Sequence, residues 1–335
     1  MKKKLTYFIF GLLIVSLGVF VSFKISPYPY LWLVRYAFDK EAIRVNNELE
    51  KYVSQNIESI LDIQYDQTDN DAFLDTYFHK DSVRLKSKLP VIVWTHGGGL
   101  ISGDKSQLRN YCKFLASKGY VVVSINYSLA QEKRYPTPIQ QLNNALSFLN
   151  KNAEKYHIDN SFFVLAGDSG GSMITAATAN VITNPNYAKI TKVNPGLKKE
   201  QLKGLLLYCG IYEIDNLNTE GEFGTFLEKV NWAYFGKKDI SKDAYFKSAS
   251  ITNYLTNSFP PSFISAGNND PLLPQSKLLS SKLSQLNIPI DTLFYPKNHI
   301  PKLGHEYQFT LDFYGKTALE RSLVFLNNLQ DKQSR

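Results

Sequence analysis

The chain has 335 residues, 44% of them hydrophobic and 20% charged, and a formal net charge of +8. This length holds one large α/β domain plus a small accessory piece, and the composition excludes a disordered or fibrous chain. The lysines are scattered, with no run beyond Lys2-Lys3-Lys4, so the charge reads as a solvated basic surface and excludes a nucleic-acid footprint. Cys112 and Cys209 have no metal-ligand spacing and read as buried thiols.

Lys2, Lys3 and Lys4 precede an apolar run from Leu5 to Phe23, closed by Lys24. As a helix this run is about 28 Å long, close to the ~30 Å hydrocarbon thickness of a bilayer. It exceeds the core of a secretory signal, and no good cleavage site follows it. The expectation is an uncleaved signal anchor over residues 1–24, with a cleaved signal peptide and a buried helix as alternatives. The leading lysines place the chain from Lys24 onward outside the cytoplasm of a single-pass membrane protein, or in the medium if the segment is cleaved. Tyr28, Tyr30 and Trp32 suit a membrane interface, although Leu31 to Phe38 equally reads as a helix packed on the following domain. Residues 25–58 form this juxtamembrane helical segment, and a single domain is expected over residues 59–335.

Ser59 to Tyr65 and Ala72 to Phe78 read as two strands joined by a turn at Gln67-Thr68-Asp69-Asn70. Short apolar runs follow at Pro90 to Thr95, Tyr120 to Asn126, Phe162 to Ala166, Leu205 to Tyr208, Ser262 to Ala266 and Pro289 to Tyr295. Such runs suit strands buried on both faces. Helical patterns lie between them at Gln107 to Ser117, Ile139 to Tyr156, Ser172 to Val181 and Gln275 to Leu286, with a last one at Leu311 to Leu329. This alternation predicts a mostly parallel sheet covered by helices on both faces. Residues 219–250 have no strand pattern but are rich in aromatics, including Phe223, Phe226 and Trp232. They read either as a lid insertion or as an ordinary surface helix pair.

Two motifs carry chemistry. Gly167-Asp168-Ser169-Gly170-Gly171 stands directly after one expected strand and before a helix. In a G-x-S-x-G turn of this kind, the serine hydroxyl projects from a sharp, strained strand-to-helix corner whose flanks tolerate no bulk. Gly167 and Gly171 supply that freedom, and the helix N-terminus favours developing negative charge. Ser169 is therefore the expected nucleophile. Asp168, adjacent to it, points elsewhere and reads as a supporting group. The second motif, His96-Gly97-Gly98-Gly99, follows the strand ending at Thr95. Glycines there let backbone N–H groups approach an oxyanion, so Gly98, Gly99 and Gly170 are the expected donors. His96 and Gly97 are expected to shape the loop rather than take protons.

Together with Asn126-Tyr127-Ser128-Leu129-Ala130, Tyr135-Pro136 and Gly267-Asn268-Asn269-Asp270-Pro271-Leu272, these motifs resemble the hormone-sensitive-lipase-like family of α/β-hydrolase esterases and lipases. The resemblance runs from about residue 90 to the C-terminus. Ser128 departs from the family's usual arginine, Gln131 from its proline and Gly170 from its alanine. The resemblance implies the α/β-hydrolase fold, with an acid and then a histidine after the nucleophile. Asp270 fits the acid, since it follows the strand ending at Ala266; as Asp before Pro it also fits a plain helix cap. His299 and His305 are the candidates for the base. Gly304-His305-Glu306-Tyr307-Gln308-Phe309 matches the family's loop before the last helix, which favours His305. His79 and His157 precede the nucleophile and read as structural or surface residues.

These readings add up to a serine carboxylic-ester hydrolase acting on a small-molecule or lipid-like ester of short or medium acyl length. It needs no metal and no organic cofactor. Three other functions use the same motifs: an amidase or peptidase, a deacylase of acylated glycans or envelope polymers, and a non-catalytic binding protein on a hydrolase scaffold.

Overall fold

The computed structural model describes residues 2–84, 88–215, 217, 220–240 and 242–333. Met1, the last two residues and Thr219, where the aromatic insertion was expected to begin, lie outside that set.

The apolar run forms helix α1 (Lys2–Ile25), which contains an 18-residue stretch with a mean hydropathy of 2.4, none of it buried against the rest of the chain. By length and composition it is able to cross a membrane. Helix α2 (Tyr28–Leu49) starts at Pro27 and Pro29, in the first turn, where the missing N–H costs nothing. Leu31 and Leu49 are buried on it, while Trp32, Leu33 and Tyr36 are 63%, 65% and 73% exposed. Both readings of this segment therefore have a face: one side packs on the domain and the other is open and aromatic.

Eight strands form one sheet: β1 (Ile57–Gln64), β2 (Phe73–His79), β3 (Leu89–Thr95), β4 (Val121–Ile125), β5 (Ile158–Asp168), β6 (Leu202–Tyr208), β7 (Ser262–Ala266) and β8 (Ile290–Phe294). Their spatial order is β1-β2-β4-β3-β5-β6-β7-β8. β2 is antiparallel to both β1 and β4, and the pairings from β4 to β8 are parallel. Helices α3 (Lys80–Arg84), α4 (Arg109–Ala116), α5 (Thr137–Lys151), α6 (Ser169–Thr183), α7 (Pro185–Thr191), α8 (Gly221–Phe235), α9 (Ala244–Lys247), α10 (Leu273–Gln285) and α11 (Phe313–Gln333) connect and cover it.

Strand alternation divides the core into two layers. Val91, Val93, Val121, Val123, Phe163 and Leu165 face the layer that includes α5, α6 and α10. Their neighbours Ile92, Trp94, Val122, Val164 and Ala166 face the layer of α4 and α11. Fully burying each such side chain stabilises the fold by roughly 1.5–3 kcal/mol. Because both faces are covered, the sequence of these strands reads as unbroken apolar runs. Several boundaries differ from expectation, three of them near the site or by several residues. α5 stops at Lys151 rather than Tyr156, β5 starts four residues early at Ile158, and α6 starts at Ser169 itself.

One buried charge lies near the site. The Lys105 side chain, 6% exposed, sits 2.6 Å from Asp62 and 2.9 Å from the fully buried Asp75. It fixes the segment just after the His96–Gly99 loop onto β2. Lys105→Met removes the nearer cation of a buried pair and leaves Asp75 only Arg109, 4.0 Å away, a loss toward the lower end of the about 3–5 kcal/mol typical of a broken buried pair. Urea unfolding of the variant should show that loss as a lower midpoint with unchanged slope.

Candidate active site

β5 delivers Ser169, the expected nucleophile. Asp168 is still extended, whereas Ser169 turns sharply to φ 48, in the left-handed region that a non-glycine residue rarely adopts. α6 then crosses the strand ends so closely that flanking side chains have no room. A Cβ on Gly167 would lie 2.7 Å from Thr175 Oγ1, and one on Gly171 would enter the backbone of Thr95 and His96. All of α6 is buried, with its first turn at the corner.

The other two expected groups reach Ser169 from distant loops. His305 Nε2 is 3.0 Å from Ser169 Oγ, and His305 Nδ1 is 3.0 Å from Asp270 Oδ2. The Asp270 carboxylate is fully buried, and its other oxygen accepts the Leu272 N–H at 2.7 Å. Asp270 thus serves both readings at once, as partner of the imidazole and as cap of the turn into α10. The two loops are tied together by Asn268, whose carbonyl oxygen accepts Leu303 N–H and whose amide donates to the carbonyls of Pro296 and His299. His299 stacks between Tyr295 and Tyr314, away from the serine. His79 sits at the end of β2 beside Asp81, and His157 packs edge-on against Phe78.

Gly98 and Gly99 adopt φ 86 and 60 and line the same cavity as Gly170, Ser169 and His305. Gly97 does not offer its N–H to the cavity, because Asp168 accepts it. The Tyr127 hydroxyl lies 3.0 and 3.1 Å from the carbonyl oxygens of His96 and Gly97, holding the loop from behind. His96 stacks on the Tyr127 ring at 4.4 Å and bonds the Gly97 carbonyl through Nδ1. Burial holds the His96 imidazole below its ordinary value, so it is neutral and structural. From outside, Asp39 of α2 accepts hydrogen bonds from Ser102, Gly103 and Gln107, just beyond the loop.

The cavity measures about 340 Å³. Phe223, Phe226, Leu227 and Val230 of α8 line it, as do Phe38 and Val45 of α2. Phe38 and Phe226 meet edge to face at 5.5 Å, and the Phe226 ring lies directly over Gly99. The aromatic insertion therefore supplies pocket wall.

Burial alone would lower His305, but the hydrogen bond to Asp270 and the charge of Glu306 oppose burial and raise its imidazole above the ordinary value. Burial pushes the Cys209 thiol up to about 11, so it is neutral at physiological pH. Among the described residues, Cys209, Asp270 and His305 bring one ligand-type atom each within 4.8 Å of one another. Two of those three are already engaged in the hydrogen-bonded chain to Ser169. Cys112 and Cys209 are both free and buried.

Sequence reasoning missed several residues here. Trp94 donates its indole N–H to Asp168 at 2.7 Å, yet in the sequence it is one more apolar position of β3. Asn268 and Tyr127 stood inside quoted motifs, but their tasks depend on loops more than 25 residues away. Cys209, at φ 42 after β6, had no signal at all beyond its position.

The BD-FAE family profile matches residues 74–283 of the chain. Among solved structures, esterase B from Lactobacillus Rhamnosis superposes with a TM-score of 0.79 at 21% identity, over 92% of this chain and 97% of that one. EstE1, a thermostable carboxylesterase cloned from a metagenomic library, gives 0.71 at 16% identity, over 92% and 99%. A truncated carbohydrate esterase from gut microbiota gives 0.61 at 19% identity, over 81% and 96%. At these identities the likeness establishes the α/β-hydrolase fold. With the family profile spanning well over half its length, the chain belongs to the BD-FAE family of hormone-sensitive-lipase-like α/β hydrolases, and so to the esterase/lipase-like serine hydrolases.

Proposed function

We propose that this protein hydrolyses carboxylic esters by two-step acyl transfer through Ser169, His305 and Asp270. The observation that carries the reading is the unbroken hydrogen-bonded chain of those three side chains on the floor of a cavity lined by Gly98, Gly99 and Gly170. His305 takes the proton of Ser169 Oγ as that oxygen attacks the ester carbonyl. Asp270 holds the imidazole in the tautomer that leaves Nε2 free and stabilises the imidazolium. The N–H groups of Gly98, Gly99 and Gly170 receive the oxyanion, each worth ~3 kcal/mol by the usual measure of a lost donor. His305 then protonates the leaving alcohol, and water, deprotonated by the same imidazole, releases the acid.

The cavity is small for a pocket of its kind, which supports short or medium acyl chains. Inhibited forms of the Lactobacillus esterase B, one of them inhibited by a tributyrin phosphonate, support the same class of substrate. We assign residues 1–24 as a membrane anchor, 25–58 as a juxtamembrane segment and 59–335 as the hydrolase domain, with 219–250 as its lid. The unburied apolar face of α1 supports the anchor, with the domain outside the cytoplasm. A tethered site of this kind also favours a second substrate, acyl groups on glycans or envelope polymers.

Three experiments test these assignments. Ser169→Ala should fold normally and lose about 10⁴-fold or more of p-nitrophenyl butyrate hydrolysis and all fluorophosphonate labelling; retained turnover would remove the serine from its role. Acetyl release from purified envelope polymer in the same assay separates the second substrate from the first. Full-length protein should float with liposomes in a density gradient, and removal of residues 2–25 should leave it in the soluble fraction with its activity intact. A full-length chain that stays soluble without detergent would refute the anchor.

A further inference from the structure

A second acidic pair lies beside the proposed nucleophile, one member buried and the other, Glu306, with 36% of its side chain exposed. Asp168 is almost wholly buried, 3% exposed. One of its oxygens accepts the Trp94 indole N–H at 2.7 Å, and its carboxylate also accepts the Gly97 N–H. Its remaining side-chain hydrogen bond is to Glu306, another carboxyl. Two carboxylates have only acceptors, so such a bond needs a proton between them. The three groups meet at one point: a methyl group on Gly97 would strike Asp168 Oδ2 and lie 2.8 Å from Glu306 Oε1.

Glu306 also touches the reaction centre. Its Oε1 is 3.7 Å from His305 Nε2, the nitrogen that faces Ser169. Its backbone is held at φ 58, a left-handed conformation that glutamate rarely adopts. Such strain persists where the surroundings fix it. The pair therefore links three loops: the glycine loop through Gly97, the nucleophile turn through Asp168 and the base loop through Glu306.

Resting on the esterase reading above, we propose that Asp168 and Glu306 share one proton and that this carboxyl pair positions the oxyanion loop and the base loop around Ser169. Glu306 is then a positioning residue for the reaction. The groups that face the pair are known element by element. His305, Cys209 at the end of β6 and Tyr127 after β4 face Glu306. Tyr111 and Cys112 of α4 and Tyr208 of β6 face Asp168. Burial raises every one of these phenols and thiols, so they stay neutral through the working range, and His305 supplies the cation that forms during turnover. Burial and then Glu306 push Asp168 well above the usual carboxylate range.

The sign of the pH effect follows. The proton that burial and the neighbouring carboxyl hold on Asp168 is present at low and neutral pH and is lost as pH rises. Its loss leaves two carboxylates in contact, which repel and pull the loops apart. His305 works as a base only when neutral, so its titration gives the acidic limb, and the pair gives a separate alkaline limb.

The test is kcat/KM against pH for the full-length wild type, Glu306→Gln and Glu306→Ala on p-nitrophenyl butyrate. Infrared spectra of the wild type and Glu306→Gln accompany it, to read the carbonyl stretch of a protonated carboxyl. The wild type should lose activity on the alkaline side. In Glu306→Gln the amide N–H donates to Asp168 at every pH, so activity at neutral pH should stay within about 3-fold and the alkaline fall should vanish, whereas Glu306→Ala should lose about 10-fold or more in kcat through misplaced loops. The protonated-carboxyl signal should be present in the wild type and absent in Glu306→Gln. An alkaline fall that persists in Glu306→Gln, or a wild type without that signal, overturns the pair. Absence of Ser169-dependent hydrolysis in the wild type overturns the esterase reading and the positioning role with it, while the infrared signal still reports separately on the shared proton.

Discussion

The turn from β5 into α6 holds Ser169 at φ 48, and the site exists because nothing near that turn has a side chain to spare. Gly167 lets the helix start back across the strand, and Gly171 lets it lie against the backbone of Thr95 and His96 at the end of β3. The same close approach places Gly170 beside Leu100, so the nucleophile turn and the glycine loop become neighbours. A methyl group on Gly167 or Gly171 would enter backbone and push α6 away from the strand ends, whereas one on Gly170 would only press on Leu100 at 3.0 Å. Positions that look like missing side chains in the sequence are therefore the ones that set the spacing of the reacting groups.

Strain at this corner has to be balanced, and the balance comes from buried structure on both sides of it. Upstream, β5 pairs with β3 and β6 through fully buried residues. Downstream, α6 is buried along its whole length. Around the corner, polar contacts replace packing: Trp94 and Gly97 hold Asp168, Tyr127 holds the carbonyls of the glycine loop, and Asn268 joins the acid loop to the base loop. These groups are buried and satisfied, which is the condition under which polar networks rigidify a site rather than weaken it.

Much of this was legible in the sequence. The sheet strands read correctly because burial on both faces leaves unbroken apolar runs, as in Val91-Ile92-Val93-Trp94. The tight turns at Gly167 to Gly171 and His96 to Gly99 were legible because close backbone approach demands glycine at fixed spacing. The helix in the aromatic insertion was not placed, since Phe223, Phe226 and Trp232 define no single period and their packing against α2 is a tertiary fact. The choice between His299 and His305 rested on resemblance alone, because loop geometry decides which ring reaches Ser169. Glu306 was invisible for the same reason: its contact with Asp168 spans 138 positions, and no local pattern marks an acidic residue as bound to another.

Helix α2 joins the two ends of this molecule. Its first turn follows α1 directly, and its exposed Trp32, Leu33 and Tyr36 lie on the side away from the sheet. Two turns later, Phe38 meets Phe226 of α8 in the pocket wall, and Asp39 binds Ser102 and Gly103 behind the glycine loop. The hydrogen bonds from Ser102, Gln107 and Gly103, together with the Arg35 charge, hold Asp39 below the usual carboxylate range against the opposing effect of its partial burial. An ionised Asp39 is thus built into the support of the oxyanion loop. Residues 28–49 consequently follow the apolar helix and also form part of the pocket wall and of the support behind the glycine loop.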